Sequence, residues 1–209
     1  MSIALDAWRG IWRELGAQTF NGGLMNQLVA AYSERHRHYH TLQHLRECLA
    51  HADAVRTLAK HPAEVELALW FHDAVYDPRR TDNEERSARW AHASVLAAGC
   101  DAAIADRVSA LVIATAGHHA SDDVDTQLLV DIDLSILGAS YARFDEYERQ
   151  VRLEYAHVDD AAFRAGRLKF VTGMLARPAI YATQVYREAL EPRARENLQR
   201  SKAALTQVG

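Results

Sequence analysis

The chain has 209 residues, 49% apolar and 25% charged, which is enough for one sizeable domain with a buried core. A net charge of −4 argues against a nucleic-acid binder that works by bulk electrostatics. Two cysteines, Cys48 and Cys100, cannot build a disulfide framework and read as free core thiols of a reducing compartment.

The N-terminus lacks a basic stretch followed by an apolar run, and no apolar run approaches the length of a membrane span, so a cytoplasmic protein without a membrane partner is expected. Leu5, Trp8, Ile11, Trp12 and Leu15 recur at helical steps, as do Leu24, Leu28, Ala31 and Tyr32. Residues 40–59 continue the pattern through Leu42, Leu45, Leu49, Ala52 and Val55. On such a helix His40 and His44 point the same way, one turn apart. Pro62 suits the first turn of the next helix, with Glu64 near its positive end. Val65 to Phe71 is apolar on nearly all sides, which puts that helix in the middle of its domain and leaves His72 and Asp73 near a buried helix end.

Further helices are predicted at about 82–98, 101–116, 123–137, 140–156, 160–175, 179–189 and 192–206. The four prolines (Pro62, Pro78, Pro178, Pro192) fall where helices start or stop. Leu128 to Asp133 could be a strand but lacks a partner strand. The fold class is therefore all-α, a single helical domain over 1–209. Trp8, Trp12, Trp70 and Trp90 read as core.

His40, His44, the His72–Asp73 pair and an acidic residue of Asp131-Ile132-Asp133 supply a mixed nitrogen and oxygen ligand set. Such a set suits an octahedral Mn, Fe, Mg, Co or Ni ion, or a catalytic Zn with an open position. Asp131 and Asp133 diverge on a helix, so only one should reach the ion. A bound cation would acidify its water and offset charge on a phosphoryl oxygen, and a protonated His nearby would serve the leaving group.

Tyr39-His40-(three residues)-His44, Phe71-His72-Asp73 and Asp133-Leu134-Ser135, in this order, resemble the HD-domain metal-dependent phosphohydrolase superfamily. The order and spacing are also similar to the cyclic-nucleotide phosphodiesterase branch, although the chain is of different length and lacks a recognisable purine-clamp glutamine region. The nearest likeness is to bacterial proteins of about 200 residues described as predicted HD phosphohydrolases. It includes His72-Asp73-Ala74-Val75-Tyr76-Asp77, Asp82 to Ala88 and Asp133 to Gly138. The resemblance implies an HD-type helical bundle with its metal-site core at about 35–156 and C-terminal helices over 157–209. It implies a divalent ion held by His44, His72, Asp73 and Asp133, with His40 as the acid, and it favours Asp133 over Asp131.

The substrate implied is a small phosphate ester or nucleotide. Glu84 has two readings: the end of a Thr81–Glu84 capping box, or a carboxylate that orients water or the leaving group. His118, like its neighbour His119, is either a helix C-terminal residue or part of the site. Arg37, within Arg35-His36-Arg37-His38, belongs to a solvated loop or to a cationic rim that attracts phosphate. Arg152 is a salt-bridged surface residue or a substrate contact. Two other readings keep the ligands and change the role: an HD-fold di-iron oxygenase, and a non-catalytic nucleotide-binding module.

Overall fold

The computed structural model describes residues 5–19, 21–117 and 121–207. The described residues are all-α, with ten α-helices, two 3-10 turns and no strand. Leu128–Asp133 is helical, as the absence of a partner strand requires. None of the described helices is long and apolar enough to cross a membrane. The chain divides into two compact units, Met1–Ile132 and Asp133–Gly209.

The first unit carries α1 (Leu5–Glu14), α2 (Gly22–Ala31), α3 (Leu42–Ala54), α4 (Pro62–Phe71), α5 (Asn83–Ala97), α6 (Ala102–Ala114) and α7 (Val124–Asp133). The division falls one residue before the end of α7, so Asp133 is the closing residue of a helix that otherwise belongs to this unit. Helix α4 is the central element, with α1, α3, α5 and α6 around it. Eight of its ten residues are buried, which is what a helix apolar on all sides demands. Trp8 of α1 meets Trp70 of α4 edge-on at 4.7 Å, and Phe71 meets Trp90 of α5 at 5.7 Å. Trp8, Trp12 and Trp70 are core; Trp90 is only half-buried.

Two buried carboxylates tie α4 in place. Pro62 opens the helix without a side-chain cap of its own. Asp125 of α7 supplies one, accepting from the backbone N–H groups of Lys60 (2.7 Å) and His61 (3.1 Å) and pairing with His61 Nδ1 (2.8 Å). Glu64 is 4% exposed and takes both arms of the Arg107 guanidinium from α6, at 2.6 and 2.8 Å. These ties fix the axis of α4 and hence the place of the two residues that follow it, His72 and Asp73.

The second unit carries a 3-10 turn (Leu134–Gly138), α8 (Tyr141–Glu154), α9 (Asp160–Ala176) and α10 (Gln184–Gln207). The predicted helices 179–189 and 192–206 are one helix here, and Pro192 lies inside it. An interior proline costs about 3 kcal/mol through its missing N–H and its clash with the preceding turn. Packing offsets this: buried Asn197 donates to Leu137 O (2.8 Å) and Ala139 O (3.0 Å), and α10 lies along α9 and the 3-10 turn. The early start expected at 179 is lost because the N–H groups of Ile180 and Tyr181 bond instead to the Glu191 carboxylate.

Gly138 shows how close this packing is. A Cβ there would lie 2.6 Å from Leu190 Cβ and 3.0 Å from both Leu190 O and Tyr181 Oη. Gly138→Ala is expected to cost about 1–3 kcal/mol by overpacking, read as a lowered urea midpoint with unchanged slope. An unchanged midpoint would mean that α10 shifts away freely.

Candidate metal centre

The sequence brings His44 into the first turn of α3, where Thr41 accepts from Gln43 N at 3.2 Å and sets the helix start. The helix begins at Leu42, so His40 precedes it. The expectation that His40 and His44 share one helical face is corrected: His40 sits in the turn before the cap. Its ring still comes near, with the two imidazole centroids 5.9 Å apart. His72 caps the C-terminal end of α4 and Asp73 follows it.

These elements converge. His44 Nε2 lies 3.0 Å from His72 Nε2, His72 Nε2 lies 3.0 Å from Asp73 Oδ2, and His44 Nε2 lies 3.4 Å from the same oxygen. Two ligand atoms bound to one ion at about 2.1 Å stand about 3.0 Å apart at a right angle and about 3.4 Å apart at a tetrahedral angle. The triangle has the edges a single ion would give it.

The proton inventory points the same way. His72 Nδ1 is 2.7 Å from Leu69 O; a carbonyl only accepts, so Nδ1 carries the proton. In the neutral ring Nε2 is then an acceptor, and it faces the carboxylate, another acceptor. Such a contact needs a proton or a cation between the two atoms. Backbone carbonyls that fix a histidine tautomer in this way are a usual support for metal-ligating imidazoles.

Burial opposes ionisation of Asp73, but the neighbouring His72 and His40 rings and the close contacts with His44 and His72 outweigh it. They hold the carboxyl well below the ordinary aspartate range. Tyr32 backs the pair: burial pushes its hydroxyl up to about 12, so it stays protonated. It stands 3.5 Å from Leu69 O as donor and accepts from Asp73 N at 3.3 Å.

His44, Cys48, His72 and Asp133 each offer a ligand atom within 4.8 Å of one another, so these four could hold a metal ion. Of the two acidic candidates on α7, Asp133 joins this cluster; Asp131 is fully buried and does not. Cys48 is the member that sequence reasoning missed, having read it as a core thiol. Its signal was its place one helical turn after His44.

The remaining candidates fall in different places. His40 is half-buried, with its ring stacked on Tyr76 at 4.1 Å and 28°. Glu84 is half-buried in the first turn of α5, and the Thr81 capping box does not form: Asp82 is the N-cap, and its carboxylate is bound by Arg80 at 2.7 Å. Among the described residues the Glu84 side chain makes no hydrogen bond or ion pair. The Ala74–Asp77 segment is pinned to α5 through Ser87 with Val75 and Asn83 with Asp77.

Arg37 is neither in a solvated loop nor on a cationic rim. Its side chain is fully buried and donates to Asp73 O (2.6 Å), Ala74 O (3.1 Å), His40 O (3.2 Å) and Glu34 Oε2 (2.9 Å). The guanidinium also lies 5.3 Å from the Tyr32 ring centroid and 5.5 Å from that of Tyr76. Arg152 is spent within the second unit, where it bonds Tyr155 O, Val158 O and Asp160 Oδ1. His118 and His119 lie outside the described residues.

No protein-family description matches the chain, and no curated protein or solved structure is significantly similar to it.

Proposed function

We propose that the protein is a metal-dependent hydrolase of phosphate esters, with a nucleotide or another small phosphate ester as substrate. The observation that supports this reading most is the 3.0–3.4 Å triangle of His44 Nε2, His72 Nε2 and Asp73 Oδ2, with the other nitrogen of His72 committed to a carbonyl. These three residues, with Asp133, would hold a divalent ion. When bound, the ion supplies charge neutralisation for a phosphoryl oxygen and acidifies a water toward neutrality.

The chain's own residues do the rest. His40 stands beside the ligand set, half-buried, and its stack on Tyr76 restricts the ring to one plane. From there it delivers a proton to the leaving oxygen. The Glu84 side chain has no protein partner among the described residues, and its helix is pinned to the segment that follows Asp73. It is the carboxylate available to orient water or substrate. Arg37 acts from behind, by holding the His40 and Asp73 backbones together. Phosphoryl transfer draws most of its rate from positioning and charge neutralisation, so a small site of this kind is sufficient.

The test is a panel of phosphomonoesters, phosphodiesters and nucleotides with Mn, Mg, Co, Ni and Zn, run beside elemental analysis. Phosphate release that depends on one of these metals and stops with a chelator is expected. Protein that retains no divalent metal and turns over nothing would overturn the reading; iron content with O₂ consumption would replace it by the oxygenase.

A further inference from the structure

Cys48 is the clustered residue that the proposed chemistry leaves unused. It lies four residues after His44 on α3, is 1% exposed, and has its Sγ 3.6 Å from His44 Nδ1 and 3.7 Å from His44 Nε2. With the two distances nearly equal, the sulfur stands against the ring and not in line with either nitrogen, so a directed S–H hydrogen bond does not explain it. Among the described residues it has no other polar partner. Packing as a small hydrophobe accounts for the burial. It does not account for the company: donor atoms of His44, His72 and Asp133 all lie within 4.8 Å of the sulfur.

Resting on the reading of this site as a metal centre, we propose that Cys48 is itself a ligand, adding sulfur to the imidazole nitrogens and carboxylate oxygens. A nitrogen at about 2.1 Å and a sulfur at about 2.3 Å from one ion, at a tetrahedral angle, are about 3.6 Å apart. The Nε2–Sγ separation is 3.7 Å, but with Nδ1 as close at 3.6 Å the sulfur lies over the ring, so sharing an ion with Nε2 requires the His44 ring or the Cys48 side chain to turn. The sulfur binds as thiolate: the S–H bond breaks, the sulfur–metal bond forms, and the proton leaves to solvent without any change of oxidation state. A sulfur donor favours Zn, Co(II) or Fe(II) over Mg or Mn, which prefer oxygen. The site is then tuned to a borderline transition ion, not to the most abundant hard cation.

Cobalt(II) reports on this directly, because sulfur bound to it gives a near-ultraviolet charge-transfer absorption that nitrogen and oxygen ligands do not. The expected result is one bound cobalt with this band in the unaltered protein and in Cys100→Ser, and loss of the band in Cys48→Ser while cobalt remains bound. Cys48→Ser should also weaken zinc by at least about tenfold and leave magnesium unchanged. X-ray absorption on the unaltered zinc protein needs no variant to fold, and a zinc–sulfur distance of about 2.3 Å is expected. Cobalt bound without the band, or a zinc shell of nitrogen and oxygen alone, overturns the role of Cys48 and leaves the metal centre standing. Absence of any bound cobalt or zinc overturns the metal centre itself.

Discussion

Replacing Asp73 by Asn is expected to weaken divalent-metal binding by more than about 100-fold and to remove metal-dependent hydrolysis in parallel. The carboxylate oxygen lies 3.0 and 3.4 Å from the two imidazole nitrogens, so an ion at their meeting point touches its charge directly. Removing one unit charge at contact distance costs more than about 3 kcal/mol even at an effective dielectric near 20, and each 1.4 kcal/mol is tenfold in affinity. Asparagine keeps the shape, so the backbone bonds of this position, accepted by its carbonyl from Arg37 and donated by its N–H to Tyr32 Oη, survive. Titration calorimetry on Asp73→Asn and Asp73→Ala, with far-ultraviolet circular dichroism as the folding control, makes the comparison. Folded variants that bind metal as the parent does would take Asp73 out of the ligand set.

The second large effect is expected at Arg37. Arg37→Met preserves the length of the side chain and removes every donor, which leaves the carbonyls of His40, Asp73 and Ala74 and the Glu34 carboxylate without their cation. A buried carbonyl left without a donor costs about 1–3 kcal/mol, so the loss of three such bonds costs about 3 kcal/mol or more. Against an ordinary domain stability of about 5–15 kcal/mol, this is a fifth or more. Urea unfolding should show the loss as a lower midpoint. Arg37→Lys should recover less than half of it, because an ammonium cannot bridge acceptors spread over a planar fork. A loss below about 1 kcal/mol would show that the three carbonyls find other partners.

The helices were legible because periodicity is local. Helix α4 could be placed at the centre of its neighbours from the run Val65 to Phe71 alone. Boundaries were less so, where a single cap or packing contact decides them. Thr41 starts α3 after His40, and Asn197 with its carbonyl partners lets α10 run through Pro192. The same limit applies to the candidate metal centre. His44 and the His72–Asp73 pair stand out by residue type and order, whereas Arg37 reaches Asp73 O across 36 positions of sequence. No spacing rule encodes that reach, and a basic residue among Arg35, His36 and His38 reads naturally as surface. Cys48 was visible by its four-residue offset from His44, yet a buried cysteine in an amphipathic helix is described equally well as core. Glu84 moved the other way: with Asp82 as the N-cap, the capping box no longer explains it.

His72 directly follows the last residue of α4, and Asp73 follows His72. The end of a helix carries a partial negative charge, and this one belongs to the element that most of the first unit packs around. An ion held there is therefore coupled to the integrity of the whole unit. Because it binds the folded chain and not the dispersed ligands of an unfolded one, it adds about 2.7 kcal/mol of stability at a hundredfold excess over its dissociation constant. On the proposed reading, the lifetime of the protein would follow the supply of that ion: scarcity would stop the chemistry and loosen the central helix together, so that idle copies would be the ones first exposed to proteolysis.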